Sequence, residues 1–247
     1  MPFAPEVQQL IHQVEESSGL PVHVAEDPAM RLRASVTPAR HGSPAHWVRF
    51  KPGSSALDYL VASQLVFLQR SLALPEADRW DIAATPAEHD RGIQTMGLDV
   101  FDEGFARNMV GQIITQTRTY PIGFRVDAWL RAHLPGLIPQ QDIEIRSQLA
   151  ENQRALAPEI RSKFPNGIVD ANTTMNAAFA IFWAGHCNEP RFTIPFTALG
   201  YKDRAEKLLA VLDEVSAEPA GDRELVSRWA ELLGLADAFH FKPATED

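Results

Sequence analysis

The sequence predicts a helix-dominant α+β fold: a small antiparallel sheet carrying one long helix, followed by a helical C-terminal half. Three observations predict it. Apolar residues alternate with period two only in three short runs before residue 52. Beyond residue 100 they recur at helical spacing, in segments punctuated by Pro121, Pro135, Pro158, Pro165, Pro190 and Pro195. The chain has 247 residues, 45% hydrophobic and 22% charged, which is the composition of an ordinary globular protein with a sizeable core. The lone cysteine, Cys187, excludes an internal disulfide framework and a CxxC-type zinc site.

The first helix is expected over Pro5–Ser17. Pro5 suits a first turn, Val7, Leu10, Ile11 and Val14 share a face, and Gly19 follows as the stop. Strands are expected over Pro21–Ala25, Arg31–Val36 and His46–Lys51, separated by Asp27-Pro28 and by His41-Gly42-Ser43-Pro44. A strong helix follows over Ala56–Leu72, with Ser55 as N-cap, Asp58 in the first turn, and Leu57, Leu60, Val61, Leu65, Leu68 and Leu72 as its apolar stripe. Residues 75–97 read as irregular structure with short helices. Further helices are expected over Val100–Gln116, Ile122–His133, Pro139–Ala157, Val169–Cys187, Lys202–Ser216 and Arg223–Leu235, the last two as a surface hairpin.

Charge and motifs narrow the function. The formal net charge is −9, and residues 1–120 and 121–247 are each mildly acidic, with no basic block, so nucleic acid is not favoured as a partner. The first basic residue is Arg31, so no secretory signal is expected. The longest apolar run, Ala177 to Ala184, is far short of the ~20 residues that span a bilayer. A cytoplasmic protein without membrane association is the expectation. No GxSxG, GxGxxG or GxxxxGK[ST] occurs, so nucleophile-elbow, dinucleotide and P-loop chemistry have no support.

One segment carries more. Asp58-Tyr59-Leu60-Val61-Ala62-Ser63-Gln64-Leu65-Val66-Phe67-Leu68-Gln69-Arg70 follows directly on a strand. Over about residues 20–110 the chain resembles the ImmA/IrrE family of zinc metallopeptidases, whose helix has the form D-Y-L-x-A-H-E-x-x-H-x-x-R. In that pattern two histidines four apart bind zinc, and the glutamate between them is the base for the zinc-bound water. Here Ser63 stands in place of the first histidine, Gln64 in place of the glutamate and Phe67 in place of the second histidine. Glu103 is the nearest candidate for the third ligand, which the resemblance draws from the next long helix.

The resemblance therefore implies a zincin-like α+β domain over residues 1–120 and a helical domain over 121–247 packed on it. It also implies a pseudo-peptidase with no metal, no cofactor and no catalytic residues, acting as a protein- or peptide-binding regulatory module in a bacterial regulatory or defence operon. Two alternatives stand beside it: an active hydrolase on a non-standard site such as Glu103 and His89, and an unrelated interaction protein.

Tyr59, Ser63, Phe67 and Arg70 recur at helical spacing and form the candidate binding face, either lining a cleft or filling it. A second candidate is the pair Asn172 and Asn176, four apart on one helix expected to be capped by Asp170. Mid-helix asparagines read as an inter-helix polar network or a ligand-facing patch, with Arg125, Asp127 and Trp129 as expected partners. The groups His41/His46, His186/Cys187/Glu189 and Glu88/His89/Asp90 lack a recurring zinc spacing and are expected to be hydrogen-bonded or solvated.

Overall fold

The computed structural model describes residues 3–30, 32–40 and 43–244. It is helix-dominant α+β, as the periodicities require. The chain divides into two compact units, neither of them a single stretch of sequence. The first comprises residues 1–80, 123–145 and 243–247, and the second residues 81–122 and 146–242.

The first unit begins with α1 (Pro5–Ser18), which ends at Gly19 in a left-handed conformation with φ 69°. Strands β1 (Val22–Glu26), β2 (Ala34–Thr37) and β3 (His46–Phe50) form one sheet, and α2 (Leu57–Leu72) packs on it and on α1. The sheet is mixed rather than wholly antiparallel. Its order is β1-β3-β2, with Val22 opposite His46 in a parallel pair and Val36 opposite Val48 in an antiparallel pair. The cause is the strength of β3. His46, Val48 and Phe50 are buried in strict alternation, whereas β2 is nowhere buried. The strand with the cleanest alternation takes the centre, and Pro21 and Pro38 flank the outer strands, where a missing N–H is harmless. Residues Arg31, His41 and Gly42 of the expected strand and turn lie outside the described residues.

The N-cap of α2 is Ala56 and carries no side-chain cap, so Ser55 does not take the role expected of it. Ser54 accepts the Ala56 N–H at 3.1 Å instead. The Asp58 carboxylate accepts from the Ala4 N–H at 2.9 Å and from Gln140 Nε2 at 3.0 Å, which ties both the start of α1 and residue 140 to this turn.

The stretch 75–97 is more regular than its composition promised. It holds β4 (Trp80–Ala83) and α3 (Pro86–Met96). Thr85-Pro86-Ala87-Glu88 closes a capping box: Thr85 accepts from the Glu88 N–H, and the Glu88 carboxylate accepts from the Thr85 N–H at 2.7 Å. β4 pairs with β5 (His240–Pro243).

The two helices expected either side of Pro121 are one helix, α4 (Glu103–His133), which passes through the proline. A proline here removes the hydrogen bond to the Thr117 carbonyl and crowds it. Thr115, Thr117 and Thr119 each turn a hydroxyl back onto the carbonyl four residues earlier, a habit that bends helices open and makes room for such a ring.

In the second unit α5 (Ile138–Arg154), which begins in the first, is followed by α6 (Pro158–Arg161), α7 (Asn166–Cys187) and α8 (Ile194–Ala198), then by α9 (Lys202–Glu214) and α10 (Asp222–Leu233). α7 is the central helix, packed by α9 and α3, with Met175, Ala178 and Trp183 fully enclosed. It starts at Asn166 after Pro165, so Asp170 sits one turn inside rather than at the cap. α9 and α10 form the expected hairpin, closed by Trp229, whose ring N–H donates to the Leu208 carbonyl at 2.9 Å.

Two glycines of this unit make opposite predictions. A Cβ on Gly167 would lie 2.8 Å from the Thr95 carbonyl oxygen and 2.9 Å from Met96 backbone atoms, whereas one on Gly111 meets nothing within 4 Å. Gly167→Ala is expected to destabilise the chain by about 1–3 kcal/mol, and Gly111→Ala, in mid-helix, to stabilise it by about 0.5–1 kcal/mol. Urea denaturation midpoints of the two variants check both signs.

Candidate functional site

Helix α2 follows the central strand β3 after one turn, and its stripe of Leu60, Val61, Leu65 and Leu68 is buried. That burial fixes which residues look outward. Ser63, Gln64, Phe67 and Arg70 are all half-buried, whereas Tyr59 is only 5% exposed. The Ser63 hydroxyl donates to the Leu60 carbonyl at 2.8 Å, one turn back along its own helix. Glu103, at the start of α4, is exposed and pairs with Arg107 at 2.9 Å.

Tyr59 does not sit with the outward residues because its hydroxyl donates to Asp127 Oδ1 at 2.7 Å in the interior of the first unit. Gln141 Nε2 donates to the Asp127 carbonyl at 3.0 Å, and Arg131 donates both to Gln141 Oε1 at 3.1 Å and to Asp142 Oδ1 at 2.7 Å. Glu144, 6% exposed, is met by Arg33 at 2.5 Å. A polar cluster thus joins Tyr59, read from the sequence as part of a binding face, to Asp127. Asp127 was expected to serve the asparagine pair of α7; it serves Tyr59 instead.

Burial raises the Asp127 carboxyl to about 7, and the Glu144 charge pushes the same way while the hydrogen bonds from Tyr59 and Gln141 oppose it. Burial, followed by the charge of Asp127, drives the Tyr59 hydroxyl well above its ordinary range. Near neutral pH the phenol therefore keeps its proton and donates it, while the carboxyl stands between its two protonation states. The pair is an internal proton-holding latch rather than a ring offered to a partner.

The asparagine pair separates into two environments in the second unit. Asn176, 4% exposed, accepts from the Tyr120 hydroxyl at 2.9 Å. Burial raises that phenol to about 12, with the carboxamides of Gln148 and Asn152 close by. Asn172 instead lines a cavity of about 160 Å³. Asn176 thus bonds across to α4, while Asn172 faces the cavity. Tyr120 was the partner the sequence concealed, since nothing in local spacing connects residues 120 and 176.

No group of three or more His, Cys, Asp or Glu side chains able to hold a metal ion occurs among the described residues. His46 is buried at the start of β3. Its Nδ1 accepts the Ala39 N–H at 2.9 Å, which places the proton on Nε2, an atom that is enclosed and without a hydrogen-bond partner. Burial and the nearby Arg79 charge lower its pKa, so it stays neutral. His41 lies outside the described residues. Glu88 and His89 stand on α3, not in a loop, and Glu88 also meets His240 at 2.8 Å. His186 donates from Nδ1 to the Phe182 carbonyl at 2.9 Å and stacks on the Phe182 ring. Glu189 is held by Arg146 and Arg191, so neither is poised beside Cys187 as a base.

Two buried titrating groups of the first unit, Asp127 and His46, give opposite pH slopes. The folded Asp127 binds its proton more tightly than the unfolded chain, with ordinary pKa 3.8, so its contribution is full below about pH 4 and is lost as pH rises through about 7. His46 shifts downward from 6.5, so its contribution is full above that value and is lost on acidification. Asp127→Asn keeps an oxygen for Tyr59 and is expected to remove the loss of stability between about pH 4 and 7. Tyr59→Phe is expected to cost about 1–3 kcal/mol and to raise the Asp127 pKa further. Urea midpoints recorded across that pH range check both.

No family model matches the chain, and neither a curated protein nor a solved structure matches it.

Proposed function

We propose that the chain is a non-catalytic relative of the ImmA/IrrE-type zinc peptidases that holds a protein or peptide partner on the outward face of α2 and so acts as a regulatory module. The observation that carries this reading is the placement of Ser63, Gln64 and Phe67. All three are half-buried on a helix that follows the central strand of the sheet, at the positions where the resemblance puts the zinc ligands and the base.

None of the three can do the peptidase's work. The Ser63 hydroxyl is hydrogen-bonded to its own helix, Gln64 has no carboxylate to take a proton from water, and Phe67 has no lone pair for a metal. The face carries an aromatic ring at Phe67 and a guanidinium at Arg70, both already in contact within the chain and both of types enriched at the energetic centres of protein interfaces. Tyr59, being buried, contributes by holding the helix rather than by touching the partner.

The acidic balance of the chain supports a protein or peptide over nucleic acid. No helix among the described residues is long and apolar enough to cross a membrane, and a cytoplasmic setting belongs to the same proposal. The hydrolase alternative built on Glu103 and His89 gains no support: Glu103 is exposed and paired with Arg107, and His89 stands beside the capping Glu88.

The test is selection of peptides against the full chain, with affinities then measured by fluorescence anisotropy. Phe67→Glu and Arg70→Glu are each expected to weaken binding about tenfold or more, while Arg107→Ala leaves it unchanged. Stoichiometric zinc in the purified protein together with casein cleavage stopped by a chelator would overturn the reading. So would peptide binding indifferent to both α2 substitutions.

A further inference from the structure

The second unit contains a cavity of about 160 Å³ between α4, α7 and the segment around α6. Its walls are mostly apolar, with Met109, Ile113, Phe164 and Ile168 among them. An enclosed apolar space of about 150 Å³ is known to accept one benzene molecule, so this cavity is the size of a single ring.

Polar residues stand in the same walls, Gln116, Arg161 and Asn172 among them. Gln116 Oε1 and Arg161 Nε are packed away from any water-sized probe and have no hydrogen-bond partner. The carboxamide of Asn172 has no hydrogen-bond partner among the described residues. The other end of Arg161 is fixed: its Nη2 donates to the Tyr201 hydroxyl at 3.2 Å and its guanidinium lies 5.8 Å from the centre of that ring. Tyr201 in turn donates to Asp170 Oδ1 at 2.5 Å, and Arg204 reaches Asp170 Oδ2 at 3.1 Å. Among the described residues, Arg161 is the one charged residue in the cavity lining, and Arg204 shares the carboxylate of Asp170 with Tyr201.

One cation, the carboxamides of Gln116 and Asn172 and a ring-sized, mostly apolar space specify a ligand by chemistry. We propose that this cavity binds a one-ring aromatic carboxylic acid bearing a hydroxyl group. The ring lies against the apolar walls, the carboxylate pairs with the Arg161 guanidinium, and the hydroxyl bonds to the Gln116 carboxamide. Asn172 completes the polar rim and can serve either substituent, since it both donates and accepts. The site is independent of α2 and stands whether or not the partner-binding reading holds.

Isothermal titration of the full chain with meta- and para-hydroxybenzoate, benzoate, phenol and toluene tests it. One of the hydroxybenzoates is expected to bind tightest, with benzoate and phenol each weaker by about tenfold and toluene weaker still. Arg161→Gln should bring that hydroxybenzoate down to the affinity of phenol and leave phenol unchanged. Gln116→Leu should bring it down to the affinity of benzoate and leave benzoate unchanged. Circular dichroism and the melting temperature confirm that each variant is folded, and where one is not, the ligand series on the unaltered chain decides. The proposal fails if no compound saturates the protein, if toluene binds as well as the hydroxybenzoates, or if both variants keep the full affinity.

Discussion

The first unit is organised around a carboxyl group that cannot be left alone. Asp127 is enclosed near the C-terminal end of α4, and a buried carboxyl without a donor costs several kcal/mol. Tyr59 supplies that donor, and in doing so fixes the rotation of α2. Four residues along an α-helix advance the side chain by about 40° around the axis, so a face read as shared at four-residue steps slowly turns. With Tyr59 held inward, Ser63 reaches the border and Phe67 lies about 80° round from the tyrosine. The same hydrogen bond that buries one candidate binding residue therefore presents another.

Local patterns in the sequence located the first helix, the three strands of the sheet, α2 and most of the later helices, but not β4, β5 or what joins the elements. The extent of α1 followed from Pro5, Gly19 and a clean apolar stripe. Ser63, Gln64 and Phe67 are half-buried beside the buried leucine stripe of α2, which helical spacing alone makes legible. Strand order was not legible, because alternation says which face of a strand is buried and nothing about its neighbours. β3 displaced β2 from the middle through tertiary burial. Pro121 misled for a related reason. A proline is a probable helix boundary only while no other contact holds the helix, and Phe124, Val126 and Leu130 are buried just beyond it. The partners of Asp127 and Asn176 lie 68 and 56 residues away in sequence, and no periodicity reaches that far.

Phe67 sits half-buried on α2, so part of its ring stays in contact with water. Covering such a ring is favourable by roughly 25 cal/mol per Å² of apolar surface removed from solvent. Arg70 follows three residues later on the same helix, and a guanidinium there supplies direction that apolar contact lacks. A helix face of this kind falls in free energy when something covers it.

A different imbalance acts in the second unit. An enclosed oxygen or N–H with no partner destabilises a fold by about 1–3 kcal/mol, and two residues of the cavity wall each carry one, Gln116 Oε1 and Arg161 Nε. Both atoms are packed away from the space itself, which presents its apolar wall, the Arg161 guanidinium and the Asn172 carboxamide. A purely apolar occupant would fill the volume and use the wall alone. A small molecule that carries a carboxylate and a hydroxyl engages the polar groups as well, which is how a cavity this small can discriminate between rings differing by one hydroxyl or one carboxylate.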